Sequence, residues 1–144
     1  MKATLDHIGI AVRDLEAALE FYRDALGLEV ERAEEVESEQ VRARFLPVGE
    51  AALELLEATS ERSAIARAIE RRGPGIHHIT LRVEDLPAVL ARLKARGVRL
   101  VDETPRPGAG GSQVAFIHPS AAQGVLVELK QAPRAGDPRG EDGR

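Results

Sequence analysis

The sequence predicts an α+β fold built from two βαβββ modules, whose strands form a curved mixed sheet with a cleft. The first observation behind this prediction is an internal duplication. The segment around His7 matches the segment around His78 at an offset of 71 residues. A second match, at an offset of 74 residues, aligns Glu54 with Glu128. Both matches lie in the same predicted order of elements, and two such long copies are unlike a solenoid repeat.

The first module begins with a strand at about residues 4–12, where apolar and small or polar side chains alternate. Asp14 is suited to cap a helix that ends at Gly27, because its carboxylate can accept the first free backbone N–H groups. Three strands are then expected, at about residues 28–34, 40–48 and 50–57. A further helix is expected from Ser60 to Arg72, before a segment rich in glycine and proline.

The second module repeats this order. A strand is expected at about residues 76–83, followed by a helix that Asp85 caps and Gly97 ends. Pro87 lies in the first turn of that helix, where proline is tolerated. Three more strands are expected, at about residues 98–102, 113–118 and 124–130. Each module therefore carries one histidine on its first strand and one glutamate on its last strand.

We expect the two modules to form a single domain over residues 1–131. The repeats lie at about 4–57 and 76–131, and a linker helix lies between them at about 60–72. Residues 132–144 contain proline, glycine and charged residues without periodicity, so they are expected to be a disordered tail.

The composition excludes several classes of function. The absence of cysteine excludes disulfides, thiolate metal ligands and cysteine nucleophiles. A net charge of −4 argues against nucleic acid as the main partner, because phosphate binding normally needs an excess of basic charge. No apolar run approaches the ~20 residues needed to span a bilayer, and no signal peptide opens the chain. We therefore expect a cytoplasmic protein that binds neither membranes nor nucleic acid.

The duplicated histidines and glutamates predict a metal site. Neighbouring side chains on a strand point to opposite faces, so His77 and His78 lie on different faces, and the duplication selects His78 as the counterpart of His7. Glu54 and Glu128 point away from the apolar residues beside them on their strands. Two imidazoles and two carboxylates form a mixed nitrogen and oxygen set that suits cobalt, nickel, manganese or zinc.

Each of these residues also has a plainer interpretation. A single histidine in an amphipathic strand is more often a hydrogen-bonded structural residue, and a single glutamate among leucines usually faces water. Four such residues placed by one duplication favour a shared ion over four unrelated roles. His118 is interpreted as structural or adjacent to a substrate, and not as a fifth ligand.

These motifs resemble the vicinal-oxygen-chelate superfamily, which includes glyoxalase I and extradiol dioxygenases, and within it most closely the methylmalonyl-CoA epimerase family. The resemblance covers about residues 4–131 and begins with Asp-His-Ile-Gly-Ile-Ala-Val at positions 6–12. The other stretches that carry it are residues 21–22, 27–28, 53–56, 75–79, 116–119 and 124–129. The opening motif is typical of the whole superfamily, whereas the closing His-Pro and Gly-Val-Leu-Val-Glu-Leu pattern is more particular to the epimerases.

The resemblance implies a glyoxalase-like fold and an enzyme that interconverts the (2R) and (2S) forms of methylmalonyl-CoA. It implies proton abstraction at C2 through an enolate that a divalent metal, with cobalt favoured, stabilises. The implied metal ligands are His7, Glu54, His78 and Glu128. The resemblance also implies an acyl-CoA as the small-molecule substrate and a homodimer.

One position departs from several bacterial epimerases that this chain resembles. Ala43 stands where those proteins carry a glutamate that is the usual candidate for one of the two catalytic acids. Glu54 and Glu128 then become the candidates for proton transfer, in addition to metal binding. Some members of the family carry glutamine at the position of Glu54, so the larger catalytic role is expected for Glu128.

Three alternative functions share parts of this pattern. A glyoxalase I-like isomerase or lyase acting on a thiol adduct would use the same four ligands, and only the substrate-binding loops would distinguish it. A ring-cleaving dioxygenase needs two histidines and one carboxylate with three open positions, so the additional Glu54 disfavours it. A metal-free binding protein of the bleomycin-sequestering kind would dispense with the four ligands.

Overall fold

The computed structural model describes residues 1–133, and its elements follow the predicted order. The strands are β1 (Thr4–Ala11), β2 (Arg32–Val36), β3 (Val41–Val48), β4 (Ala51–Ala58), β5 (Gly75–Arg82), β6 (Arg106–Pro107), β7 (Gln113–Ile117) and β8 (Val127–Gln131). The helices are α1 (Leu15–Leu19), α2 (Ala64–Arg72) and α3 (Leu86–Ala95). Of the predicted tail, residues 134–144 lie outside the described residues.

The chain divides into two compact units, which correspond closely to the two predicted modules. His7–His78 forms the first unit, and residues 1–6 together with the described chain from Ile79 to residue 133 form the second unit. Each unit contains a four-stranded mixed arrangement of strands, with α1 and α2 packed on the first and α3 on the second, so the predicted α+β class with duplicated βαβββ modules is confirmed.

In the first unit the strand order is β2-β3-β4-β1, with β1 parallel to β4 and the other neighbours antiparallel. Ile10 of β1 packs against the apolar side of α1. The buried cluster on that side consists of Val12, Leu15, Leu19, Leu46 and Leu55. A second cluster, which includes Ile65 of α2, consists of Ala11, Val41, Ala43, Phe45, Leu56 and Ile65. Two apolar layers therefore fix the orientation of β1 and β4.

The second unit has the strand order β5-β8-β7-β6, with β5 parallel to β8. Helix α3 packs on this sheet, and the buried cluster consists of Val83, Leu86, Leu90, Ala115, Val127 and Leu129. The register repeats that of the first unit, because Gly9 lies opposite Glu54 and Thr80 lies opposite Glu128. The duplication seen in the sequence is thus a duplication of strand pairing.

Both predicted helix caps are confirmed. One carboxylate oxygen of Asp14 and one of Asp85 each accept a backbone N–H three residues further on, at 3.2 and 3.1 Å. Helix α1 continues into a π-helical turn over Glu20–Ala25. The chain then leaves the helix at Gly27, whose φ of +89° is accessible to glycine at little cost.

In α1 and α3, a second side chain also accepts a hydrogen bond from the first turn. The backbone N–H of Leu15 donates to Oε2 of Glu57 at 2.6 Å, and that of Leu86 donates to Oε1 of Gln131 at 2.7 Å. Glu57 lies at the end of β4 and Gln131 at the end of β8. The starts of α1 and α3 are therefore attached to β4 and β8, the last strands of their own modules.

The prediction of a strand at residues 98–102 is wrong. The backbone N–H groups of Val101 and Asp102 both donate to the carbonyl of Phe116, while the N–H of Phe116 donates to the Asp102 carboxylate at 2.8 Å. A side chain thus takes a hydrogen bond that a regular ladder would make, and only an isolated bridge forms in this segment. The short β6 completes the module instead.

The helix predicted to begin at Ser60 begins four residues later. Ser63 caps it, because its Oγ accepts the backbone N–H of Ile65 at 3.1 Å. Ser60 Oγ accepts the N–H of Arg62 within the preceding turn.

The strand predicted at residues 28–34 is also displaced, to the bounds of β2. The backbone N–H of Leu28 donates to the carbonyl of Tyr22, so this segment still closes the preceding helical turn. Leu28 and Val30 pack against the core of the first unit, which accounts for their apolar pattern.

Within residues 1–133, no helix is long and apolar enough to cross a membrane. The longest of these helices, α3, has 10 residues.

Candidate metal centre

Three of the four predicted ligands lie together in the first unit. His7 is on β1, Glu54 is on the neighbouring β4, and His78 is on β5. Nε2 of His7 lies 3.3 Å from Nε2 of His78, and Oε1 of Glu54 lies 3.5 and 3.6 Å from these two nitrogens. The three side chains are between 8% and 14% exposed, so their donor atoms face one another with little access for water.

The triangle of donor atoms has the size that a divalent transition metal requires. A point equidistant from three atoms separated by 3.3, 3.5 and 3.6 Å lies about 2.0 Å from each of them. Bonds from zinc and similar ions to imidazole nitrogen and carboxylate oxygen measure roughly 2.0–2.2 Å. The residues present therefore fit a single ion held by two nitrogens and one oxygen.

The protonation state of His78 is also suited to metal binding. Burial lowers the pKa of His78 to about 3, and repulsion from His7 and His77 adds to this effect. Burial likewise lowers the pKa of His77 to about 4, helped by the positive charges of Arg72 and Arg71. Both rings are thus neutral at pH 7, and a neutral imidazole can offer a nitrogen lone pair to a metal.

Gly9 makes the close approach of His78 possible. A Cβ atom built on Gly9 would lie 2.5 Å from Nδ1 and 2.8 Å from Nε2 of the His78 ring, which is closer than non-bonded atoms approach. Gly9 is also the cross-strand partner of Glu54. The absence of a side chain at this position leaves the space that the imidazole fills beside the Glu54 carboxylate.

We predict that Gly9→Ala weakens divalent metal binding by more than tenfold, because the new methyl group displaces the His78 ring from the triangle. The overlap should also destabilise the fold by about 1–3 kcal/mol, the usual cost of overpacking. Gly49→Ala is the control, since Gly49 has a φ of +61° with no atom near a new Cβ. That variant should lose stability through backbone strain while its affinity for Co(II), measured by calorimetry, stays unchanged. Equal affinities in the two variants would contradict the prediction.

An aromatic ring borders the triangle. The ring of Phe45 meets that of His7 edge to face, with centroids 6.2 Å apart, and Phe45 is the cross-strand partner of Glu54. The guanidinium of Arg32 lies 4.0 Å from the centre of the Phe45 ring. The phenyl ring excludes water from one side of the ligands, and the cation holds the ring in place.

The second unit repeats this arrangement around the other predicted ligand. Phe116 is the cross-strand partner of Glu128, and the guanidinium of Arg106 lies 5.3 Å from the Phe116 ring. Sequence reasoning missed both aromatic residues, although Phe45 and Phe116 are separated by the same 71 residues as the histidines. That repeated offset was the signal that could have identified them.

Glu128 lies on β8 in the second unit, where Thr80 holds its carboxylate. The hydroxyl of Thr80 donates to Oε1 of Glu128 at 2.6 Å, and Thr80 is fully buried. A short hydrogen bond to a carboxylate restricts its rotation.

A group of three charges, of which Asp6 and Lys130 are buried, accompanies Glu128 in the second unit. Asp6 is almost fully buried, and its carboxylate lies 2.5 Å from the guanidinium of Arg82 and 3.5 Å from Nζ of Lys130. Lys130 is two residues after Glu128 and therefore on the same face of β8. The matching position of the first module is Leu56, so this group is present in one module only.

Ala43 and His118, the other two positions considered in the sequence, contribute to packing and to a helical turn. Ala43 is 2% exposed and belongs to the apolar cluster beside α2, so it brings no proton-transfer group to the first unit. His118 caps the 3-10 turn Pro119–Ala122, where its Nδ1 accepts the backbone N–H of Ser120 at 3.0 Å.

Comparison with known proteins places these features in a family. A family model described as the glyoxalase/bleomycin resistance protein/dioxygenase superfamily matches residues 6–116. The chain is 41% identical over 133 residues to the ethylmalonyl-CoA/methylmalonyl-CoA epimerase of Cereibacter sphaeroides, covering 91% of this chain and 99% of that protein. It is 38% identical over 129 residues to the human mitochondrial methylmalonyl-CoA epimerase, covering 89% of this chain and 73% of that protein.

The fold is similar to that of solved structures. A solved structure of a methylmalonyl-CoA epimerase in complex with methylmalonyl-CoA and NH4+ aligns with a TM-score of 0.85 and 38% sequence identity. The alignment covers 96% of this chain and 100% of the other.

Proposed function

The chain belongs to the glyoxalase/bleomycin resistance protein/dioxygenase superfamily, and on that premise we propose that it is a metal-dependent methylmalonyl-CoA epimerase. It would interconvert (2R)- and (2S)-methylmalonyl-CoA by removing the proton at C2 and returning one on the opposite face. The observation that carries the proposal is the triangle of His7, Glu54 and His78, which has the size and donor chemistry of a divalent metal site. The epimerase relatives supply the substrate class.

We propose His7, Glu54, His78 and Glu128 as the residues that hold the metal. The mixed nitrogen and oxygen donors suit cobalt, and also nickel, manganese or zinc. A divalent ion held by these residues would supply positive charge that favours loss of the C2 proton from the substrate. The surroundings of His78 favour this role. Burial keeps its imidazole neutral, and Gly9 leaves room for the ring beside Glu54.

Glu128 and Glu54 are the proposed proton carriers. With an alanine at position 43, the described residues of the first unit offer Glu54 as the carboxylate among the clustered ligands. Thr80 orients the carboxylate of Glu128 by a hydrogen bond at 2.6 Å, and a fixed orientation is what proton transfer to carbon requires. Oriented carboxylates on two different strands would allow a proton to leave one face of C2 and another to arrive at the opposite face.

The test is proton exchange at C2 of methylmalonyl-CoA in deuterated water, followed by NMR. Protein treated with a chelator should exchange the proton at the background rate, and added Co(II) should restore rapid exchange with loss of the C2 signal from both epimers. The thiol adduct of methylglyoxal with glutathione is the comparison substrate for a glyoxalase I-like isomerase or lyase. Turnover of that adduct without exchange at C2 would overturn the epimerase proposal.

A cytoplasmic location and a homodimer complete the proposal. The Cereibacter sphaeroides relative, which this chain matches over 99% of its length, supports a small acyl-CoA enzyme. Sedimentation of the purified protein, with and without Co(II), would measure the oligomeric state directly.

A further inference from the structure

We infer that His77 is a positioning residue, which fixes the tautomer and the orientation of His78 for metal binding. The inference rests on the proposed metal site and extends it to a residue that does not itself belong to the ligand triangle. The observation behind it is a single contact between two adjacent side chains: Nδ1 of His77 lies 2.9 Å from Nδ1 of His78.

The two nitrogens of His78 have different neighbours. Its Nε2 points into the triangle, 3.3 Å from Nε2 of His7 and 3.6 Å from Oε1 of Glu54. Its Nδ1 points away from the triangle and toward His77. A neutral imidazole that offers a lone pair at Nε2 must carry its proton at Nδ1. His78 therefore needs a hydrogen-bond acceptor at the position that His77 occupies.

His77 can provide that acceptor in one tautomer only. If Nδ1 of His78 donates across 2.9 Å, Nδ1 of His77 must be without a proton, and its own proton must lie on Nε2. Protonated His77 would have no lone pair to offer.

The geometry of the rings agrees with an orienting role. The His77 and His78 rings are perpendicular, with centroids 5.2 Å apart, and His78 is also perpendicular to His7 at 5.3 Å. Gly9 limits rotation of the His78 ring from the other side, because the ring fills the space where a Cβ would be. A ring held by a hydrogen bond at Nδ1 and packed against a glycine has one orientation in which Nε2 meets the other ligands.

The observed position of His77 differs from the one that the alternation of side chains along β5 predicts. Alternation along β5 places it with Ile79 and Leu81, on the face that packs against the helix of its module. The structure instead has it half-buried, with its ring nitrogen directed to the neighbouring histidine. Removal of a hydrogen-bond partner that orients a metal ligand typically lowers metal affinity by 10- to 100-fold.

Two variants separate hydrogen bonding from packing. His77→Leu keeps an apolar side chain of similar size but has no acceptor, whereas His77→Asn can place an amide oxygen where Nδ1 lies. We expect the dissociation constant for Co(II), measured by competition with a chelator, to rise 10- to 100-fold in His77→Leu. In His77→Asn it should stay within a few-fold of the wild-type value. His118→Leu is the matched control, since His118 makes its Nδ1 contact in a 3-10 turn; it should leave the constant unchanged.

A measurement on the wild-type protein is independent of whether the variants fold. In long-range 1H–15N spectra of the protein loaded with Zn(II), His77 should be the tautomer protonated at Nε2, with Nδ1 unprotonated. A proton on Nδ1 of His77 would overturn the inference, as would wild-type affinity in His77→Leu or equal weakening in both variants. Failure of the wild-type protein to bind Co(II) at all would instead overturn the proposed function and the inference together.

Discussion

Replacing His78 by alanine is expected to abolish stoichiometric uptake of a divalent metal and to reduce proton exchange at C2 to the background rate. The substitution removes one of two nitrogens from a triangle whose three donors are separated by 3.3–3.6 Å. The remaining donors of the triangle, one imidazole and one carboxylate, would leave the ion exposed to water and to competing ligands. Metal analysis of the protein after loading with Co(II) and desalting, and the exchange assay, measure the two effects.

The fold should survive this substitution. His78 lies outside the three buried apolar clusters that stabilise the two units, so we expect destabilisation of about 1–3 kcal/mol and not unfolding. His118→Ala is the control, because it removes an imidazole from a surface turn. Full metal occupancy in His78→Ala would show that the assignment of the ligands is wrong. Loss of metal from His118→Ala would show that the effect is not specific.

Glu128→Gln is expected to lower turnover by at least ~100-fold while the protein still binds metal, since general acid–base catalysis contributes on this scale. An amide oxygen can replace a carboxylate oxygen as a ligand, but it cannot accept and return a proton at C2. The hydroxyl of Thr80 can still donate to that amide oxygen, so the orientation of the side chain should be preserved. The rate of epimerisation at saturating substrate measures the loss.

Glu54→Gln is the matched comparison, and its loss of turnover should be smaller. A carboxylate bound to a cation is a poorer base, because the charge that holds it also lowers its proton affinity. Glu54 lies within 3.6 Å of both histidine nitrogens and should act chiefly as a ligand. Equal collapse of both variants, or near-normal turnover in Glu128→Gln, would place the catalytic acids elsewhere.

The sequence could predict that His7, Glu54 and His78 lie close together, because the duplication added information that one strand does not contain. A single histidine at position 7 has no distinguishing feature, but a match to His78 in the same strand register selects the face and the residue. Ala43 could likewise be recognised as a departure from related sequences, and its buried apolar surroundings agree with that expectation. The internal duplication therefore gave information on candidate site residues that usually comes from comparing many related sequences.

Features that depend on contacts between distant segments could not be predicted. The close fit of Gly9 and the His78 ring joins β1 and β5, and nothing in the local pattern of either strand specifies it. The same is true of Asp6 with Lys130, which are far apart along the chain. The misplaced strand near Asp102 has a different cause, because a carboxylate there competes with the backbone for a hydrogen bond.

The hydrogen bond between Leu15 and Glu57 has a consequence for how the first module opens. Glu57 is three residues after Glu54 on β4, so the start of α1 cannot fray without releasing a side chain from the strand that carries a proposed ligand. Helix and strand should therefore open together, as one cooperative segment. A ligand that binds only the closed form raises the free energy of opening. Metal bound at Glu54 would then slow amide hydrogen exchange in a helix that contributes none of the proposed ligands.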